Sequence, residues 1–453
     1  MPSYKSPSSF FKCNSFIYTI ALFFYILQSF GLPLQASEYF LRDNDRVVFL
    51  GDSITEQRLY TNFIEAYALT RHPHWQLTFR NAGWAGDTAF FRSRCHPDGG
   101  RLVGVEESAQ KSMIDKVIRR SFDRDVLVHK PTVVTIDFGM NDIGVRSSVD
   151  ALNAYTRCLT KMVEVLQENK ARTALLTPQP VEIKGLNADK EEKNCALRRF
   201  SDALKDVADK TETLYVNQFD PYMQILLRER VNYPDKFIGA GQDGVHPGAV
   251  GHTLMAWSIL KGLGAKSMVS HVTVDIKAKA LVNADSCTVS HLNFAEGLVA
   301  FDRLDQALPM PIHPNAEPAL KLAPVLEELN QYGLQITGLE PGEYQLSIGG
   351  NVAVTKSAEE WAKGVNLAMA AGPITQQTQK LLKEVDTKND LFFKRWRNVQ
   401  LFPTPEWAQS PELEARRSAE MARLDQAIAE SESKINLLRQ PCQHRFELKI
   451  ISR

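Results

Sequence analysis

From Asp45 to Lys266 short apolar or β-branched runs alternate with longer amphipathic stretches, and this rhythm restricts the fold more than any other feature of the chain. Val47–Leu50, Gln76–Phe79, Val133–Phe138, Ala174–Leu176 and Leu214–Val216 read as strands, each bounded by turn residues. Helical patterns lie between them near Tyr60–Leu69, Ser108–Ile118, Val149–Leu166 and Lys190–Ala208, with a last one after Pro247. Strands that are apolar on both sides must be covered on both faces, so the alternation predicts an α/β domain over residues 38–266, a parallel sheet sandwiched by helices. In such a sheet the loops at the carboxyl ends of the strands form the crevice where chemistry is done.

Beyond residue 267 the period changes. Val272, Val274 and Ile276 alternate with polar residues, as do Leu334 and Ile336, and Tyr344, Leu346 and Ile348 follow a Pro341-Gly342 turn. This predicts a small β-rich accessory unit over residues 267–355 with half-buried strands. Residues 356–453 read as a helical C-terminal region: Met421, Leu424, Ile428, Ile435 and Leu438 recur at helical spacing among Glu, Arg and Lys. The stripe spans too few heptads for a coiled coil and is expected to pack on the chain's own core.

The 453 residues carry 53 Lys plus Arg against 53 Asp plus Glu, a zero net charge that provides no field for gathering nucleic acid. At the amino end, Lys5 and Lys12 precede an uncharged apolar stretch from Phe16 to Phe30, then Pro33 and the small pair Ala36 and Ser37. That is the pattern of a secretory signal over residues 1–36, too short in its apolar core for a bilayer span, so export to the periplasm or medium is expected, with no stable membrane span after cleavage. Cleavage removes Cys13 and leaves Cys95, Cys158, Cys195, Cys287 and Cys442, which are too sparse for a disulfide framework.

Four short segments carry the chemistry. Gly51-Asp52-Ser53 follows the first strand and precedes a helix, which places the Ser53 hydroxyl beside free backbone N–H groups. A serine hydroxyl needs an adjacent base to act as a nucleophile. Asp243-Gly244-Val245-His246-Pro247 supplies one, since an Asp three residues before a His on a tight turn reaches one imidazole nitrogen and leaves the other to face a serine. Asn81 to Thr88, with Gly86, and Gly139-Met140-Asn141-Asp142 follow the second and third strands. The Gly86 N–H and the Asn141 amide are donors suited to an oxyanion. Asp52 and Asp142 are expected to orient loops and cap backbone groups, because a carboxylate beside the oxyanion opposes its charge. His252, six residues past His246, is read as packed or solvent-facing.

In these four segments, in this order, the chain resembles the SGNH or GDSL hydrolases over roughly residues 45–266. The resemblance implies a flavodoxin-like three-layer α/β/α fold. It assigns Ser53 as nucleophile, His246 as base, Asp243 as its partner, and an oxyanion hole to the Ser53 N–H, the Gly86 N–H and the Asn141 side chain. It implies neither a metal nor an organic cofactor. The partner expected is an ester substrate, with acetylated carbohydrate favoured: Trp84 could offer a flat face to a sugar, Arg92 and Arg94 could meet an acidic group, and no long apolar lid is evident for a bulky acyl chain. A lipase- or thioesterase-type hydrolase, or a degenerate hydrolase serving as a binding scaffold, are the alternatives. A metal-dependent phosphoesterase built on His72, His74, His96 and Asp98 is a weaker one.

Overall fold

Strand β1 (Arg46–Gly51) is buried along five of its six residues and pairs in parallel with both β2 (Thr78–Gly83) and β3 (Val133–Asp137). Strands β4 (Arg172–Leu176) and β5 (Leu214–Val216) complete a five-stranded sheet of order β2-β1-β3-β4-β5. This is the flavodoxin-like order, whose topological switch lies between β1 and β3. The computed structural model describes residues 38–94, 102, 104–144 and 149–452. The export signal expected over residues 1–36 lies outside them, as do Cys95, His96 and Asp98. Among the described residues no helix is long and apolar enough to cross a membrane, and Cys158, Cys195, Cys287 and Cys442 are free thiols.

The sheet's period of two divides its side chains between two cores. Val48, Leu50, Val134 and Ile136 face one, and Val47, Phe49 and Val133 face the other. After the short helix α1 (Ser53–Glu56), helices α2 (Leu59–Arg71), α3 (Glu107–Asp125), α4 (Val149–Glu168) and α5 (Glu192–Thr211) alternate with the strands. Helices α3, α4 and α5 cover the first face; α2 and α7 (Ala249–Gly262) cover the second. Helix α6 (Phe219–Arg230), absent from the sequence reading, packs Phe219 and Met223 into the first core and Tyr222, Ile225 and Leu226 into the second. The second strand also starts later than its hydropathy suggests. The Gln76 N–H is taken by the Asp43 carboxylate, and the polar Asn81 is tolerated in mid-strand because its amide donates to Thr55 O and Thr61 Oγ1.

The accessory β part is built from β6 (Met268–Asp275), β7 (Ala280–Asp285), β8 (Cys287–Ala295), β9 (Leu298–Asp305), β10 (Gln331–Thr337), β11 (Glu343–Ile348), β12 (Asn351–Ser357), β13 (Val365–Asn366) and β14 (His444–Ser452), which form two further sheets of order β13-β10-β6-β7 and β12-β11-β14-β9-β8. Strands β6, β10 and β11 carry the alternating residues read from the sequence. The sheets also include β13 and β14, so the β-rich part does not close at residue 355 and residues 356–453 are not wholly helical. Strand β14 lies antiparallel between β9 and β11 and buries Phe446 and Leu448. Between β13 and β14 run helix α8 (Pro373–Phe393), a π-helical turn at Lys394–Gln400 and helix α9 (Pro411–Leu438). These place Phe392, Trp396 and Ile428 in one α/β core and Leu381, Leu382, Val385 and Ile435 in the other, so the apolar stripe of α9 packs on the chain's own core.

The Phe446 ring is 0% exposed and stacks on Phe301 at 5.4 Å. Phe446→Ala should therefore lower the unfolding free energy by about 3–5 kcal/mol in a urea titration. Phe402→Ala, at a ring 60% exposed, should change it by less than ~0.5 kcal/mol.

Candidate active site

Ser53 stands at the first position of α1, immediately beyond the carboxyl end of β1. Asp52 caps this helix by accepting from the Ile54 N–H at 2.9 Å. The Ser53 hydroxyl lies 2.9 Å from Nε2 of His246, a residue 193 positions away, and His246 Nδ1 lies 2.6 Å from Asp243 Oδ2. The other Asp243 oxygen accepts the backbone N–H groups of Val245 and His246 at 2.9 and 3.0 Å. The hydrogen bond from His246, followed by these two, holds the Asp243 carboxyl down to about 2. Asp243 is therefore ionised at any working pH and accepts a hydrogen bond from Nδ1–H, which leaves Nε2 free to accept the serine hydroxyl proton; the tautomer follows from this network.

The loop bearing Asp243 and His246 is tied down by a residue that sequence reading missed. Glu182, buried in the loop after β4, accepts the N–H groups of Ile238, Gly239 and Ala240 at 2.7, 2.7 and 2.6 Å and the Tyr222 hydroxyl at 3.1 Å. Its own N–H donates to Gly244 O at 2.7 Å. Gly244 has φ +70°, and a Cβ there would meet the Glu182 carbonyl at 2.2 Å, so the Gly in the Asp-Gly-Val-His turn is required by both conformation and space. The sequence signal was slight: an acid flanked by the apolar Val181 and Ile183 in a turn-rich stretch.

The two remaining segments are tied to each other and to the residue before Ser53. Gly86 adopts φ +73°, a backbone that side-chain-bearing residues rarely take. The Asn141 side-chain amide donates to Asp87 O at 2.9 Å and reaches Asp52 Oδ2 at 3.4 Å, bridging the residue after Gly86 to the residue before Ser53. Asp142 accepts the Ala89 N–H at 2.9 Å, the loop-orienting role expected of it.

The structure reassigns two of the three side chains read for the substrate, Arg94 and Trp84. Arg94 is fully buried and paired with Asp87 at 2.5 Å and Asp125 at 3.4 Å, so it cannot meet an acidic group from outside. The Trp84 ring is half-buried, with the Arg397 guanidinium carbon 3.5 Å from its centroid and Trp396 edge-on at 5.7 Å, so the face offered to a sugar is taken by the chain itself. Arg92 is exposed and donates to Gly86 O at 3.1 Å. His252 is fully buried, bonded to Gln57 Oε1 at 2.8 Å and stacked on Tyr60, and burial holds its imidazole down to about 3. His72 stacks on Trp75 at 3.7 Å, and among the described residues no group of three or more His, Cys, Asp or Glu could hold a metal ion.

Asp52, beside Ser53, belongs to a group of acids in which Asp52, Asp87 and Asp137 are buried and Asp142 is half-buried. Loss of hydration pushes Asp52 and Asp142 up to about 7, with repulsion from Asp87 adding to the shift of Asp52 and repulsion from Asp52 and Asp87 adding to that of Asp142. Burial raises Asp137 as well, and Asp87 despite its pairing with Arg94. Charge that would oppose an oxyanion is thereby kept down without removing the side chains that hold the loops.

Residues 49–254 match the GDSL-like lipase/acylhydrolase family. Among solved structures, a gut microbial diltiazem-metabolizing enzyme, BT4096, is similar over 91% of this chain and 98% of its own, with a TM-score of 0.75 at 24% identity. That likeness of fold reaches beyond the α/β part into the accessory and C-terminal segments. Axe2, an acetylxylan esterase from Geobacillus stearothermophilus, is similar over 50% of this chain and 97% of its own, with a TM-score of 0.38 at 17% identity. No curated protein matches the chain.

Asp142 keeps its proton up to about 7 in the folded chain, whereas an unfolded carboxyl releases it near ~4. Between these values the folded state binds more protons than the unfolded one, so this group's contribution to stability falls as pH rises from about 4 to about 7 and is level above that. Asp142→Asn can still accept from Ala89 and never ionises. Urea titrations at about pH 4.5 and pH 7.5 should show the variant losing less stability across that window, by up to about 3 kcal/mol at ~1.4 kcal/mol per pKa unit.

Proposed function

We propose that this chain, a hydrolase acting on ester bonds whose residues 49–254 match the GDSL-like lipase/acylhydrolase family, is an exported serine esterase in which Ser53, His246 and Asp243 form the catalytic triad. The observation that carries this reading is the continuous relay Ser53 Oγ, His246 Nε2, His246 Nδ1, Asp243 Oδ2, with contacts of 2.9 and 2.6 Å.

In the first step Ser53 Oγ bonds to the ester carbonyl carbon while His246 Nε2 takes the hydroxyl proton. The negative charge that develops on the carbonyl oxygen is held by the Ser53 and Gly86 N–H groups and the Asn141 amide. The tetrahedral intermediate collapses, the carbon–oxygen bond to the alcohol breaks, and His246 returns its proton to the departing alcohol. Water, deprotonated by His246, then attacks the acyl-serine, and the acid leaves as Ser53 regains its proton. Asp243 holds the imidazole in its reactive tautomer and stabilises its cation throughout.

The substrate class is read from access. The His246 and Asp243 side chains are 41% and 53% exposed, so the triad opens to solvent and admits an ester whose alcohol is bulky. A short acyl group on a large alcohol fits this opening, and acetylated carbohydrate is the substrate we assign; with Trp84 covered by Arg397, that assignment rests on openness and export rather than on ring stacking.

Ser53→Ala should abolish hydrolysis of a short nitrophenyl ester while leaving the unfolding midpoint unchanged; retained turnover would refute the triad. Acetate release from a panel of acetylated glycans, set beside long-chain esters, tests the substrate. Cleavage confined to long acyl chains would favour a lipase-type enzyme, and failure of a serine-directed phosphonate probe to label the folded protein would favour a scaffold.

A further inference from the structure

The C-terminal segment reaches the catalytic loops through one side chain. Glu56 is the last residue of α1, the helix that begins at Ser53. Its Oε2 accepts the Ala85 N–H at 2.8 Å and, at the same atom, Arg397 Nη1 at 2.6 Å. The Arg397 guanidinium lies over Trp84 at 3.5 Å and reaches Gly83 O at 3.4 Å. Every residue from Gly83 to Ala85, the run that leads into Gly86, is thus touched by Arg397 or by the carboxylate it pairs with. Glu56 and Arg397 are 21% and 17% exposed, so solvent screens the pair only in part.

Arg397 is delivered by the π-helical turn at Lys394–Gln400, a local widening that closes helix α8 beside Trp84. Trp396 beside it meets Trp84 edge-on and is aimed at the buried Asp125, 3.4 Å from its Nε1. A second tether secures the same segment: Arg58, two residues after Glu56, pairs with Asp390 at 3.0 Å and covers the Phe393 ring at 4.4 Å.

The Gly86 carbonyl accepts from Arg92 at 3.1 Å, but the Gly86 N–H belongs to the peptide that follows Ala85. The residue lacks a side chain, and its φ of +73° is one of several a glycine can take. Orientation of its N–H must be imposed by the preceding peptides, whose anchors are the backbone bonds of Trp84 to Gly51 and Asp87, the Glu56 carboxylate and the cation on Trp84. We propose that Arg397 is a positioning residue for the oxyanion loop, so that the C-terminal helices complete the active site of the α/β domain. This deepens the serine-esterase reading above and rests on it. Arg397 acts through Glu56 and Trp84 and touches no reacting atom.

A positioning role has a signature that loosened packing lacks. A donor lost from an oxyanion hole costs transition-state stabilisation of about 10²–10³ in rate, and a misaimed donor costs part of that. Arg397→Ala should lower kcat on a short nitrophenyl ester about 10- to 100-fold with KM nearly unchanged. Affinity for an alkylboronic acid, which forms a tetrahedral adduct on the serine, should fall by a similar factor, while competitive inhibition by the product acid should not change. Arg397→Lys, which keeps the charge beside Glu56, should recover part of both. Arg423→Ala, which breaks an exposed pair with Glu420 in α9, should leave all three readouts at the parent values.

Ser53→Ala is run alongside. If it retains turnover, the esterase reading fails. If it is inactive while Arg397→Ala keeps kcat and boronate affinity within about twofold, the reading stands and the positioning role is overturned. A parallel loss of boronate and product affinity, with no recovery by Arg397→Lys, would mark general loosening and overturn it as well.

Discussion

The meeting of Ser53 and His246 depends on a carboxylate with no proposed part in the chemistry. Glu182 is buried, and it is satisfied by the N–H groups of Ile238, Gly239 and Ala240 and by the Tyr222 hydroxyl. Nearby Arg230, itself fully buried, places its guanidinium 3.6 Å away. A charge removed from water must be met by fixed donors, and here the donors are the backbone of the loop that must be held. The loop is locked because unlocking it would strand the charge. From that anchor the chain runs through the short bridge between Ala240 and Pro247 to His246, and the Asp243 carboxylate closes the same turn from within.

Much of the α/β domain was legible because its signals are local. Strand and helix periods lie within single segments, and the Asp-Gly-Val-His turn carries a base and its orienter in four residues. What was not legible is non-local. Trp84 reads as an open platform until Arg397, more than three hundred positions later, is laid on it, and Arg94 reads as a free cation until Asp87 and Asp125 enclose it. The alternation Phe446, Leu448, Ile450 that makes β14 was present, but the long charged helix before it set the texture of the whole region. Glu182 gave almost no signal, since nothing in a lone acid says which distant N–H groups it will gather.

Electrostatics at the site follow from the same burial. The four acids Asp52, Asp87, Asp137 and Asp142 would oppose an oxyanion if all were ionised. Desolvation and repulsion from neighbouring acids push Asp52 and Asp142 up to about 7, while Arg94 is paired with Asp87. Asp243 lies outside this group, exposed and rich in donors, and is held down to about 2. One acid is ionised by its hydrogen bonds and the others resist ionisation through loss of water, so acids in a single site serve opposite ends.

Strand β14 lies between β9 and β11, so the sheet's middle is filled by its last-made member. During synthesis β9 and β11 leave the ribosome with a vacant slot between them, two unpaired edges whose N–H and C=O groups await a partner still to be translated. Such edges are templates for any extended chain nearby. The accessory part is therefore most exposed to mispairing in the interval between the emergence of β11 and that of β14.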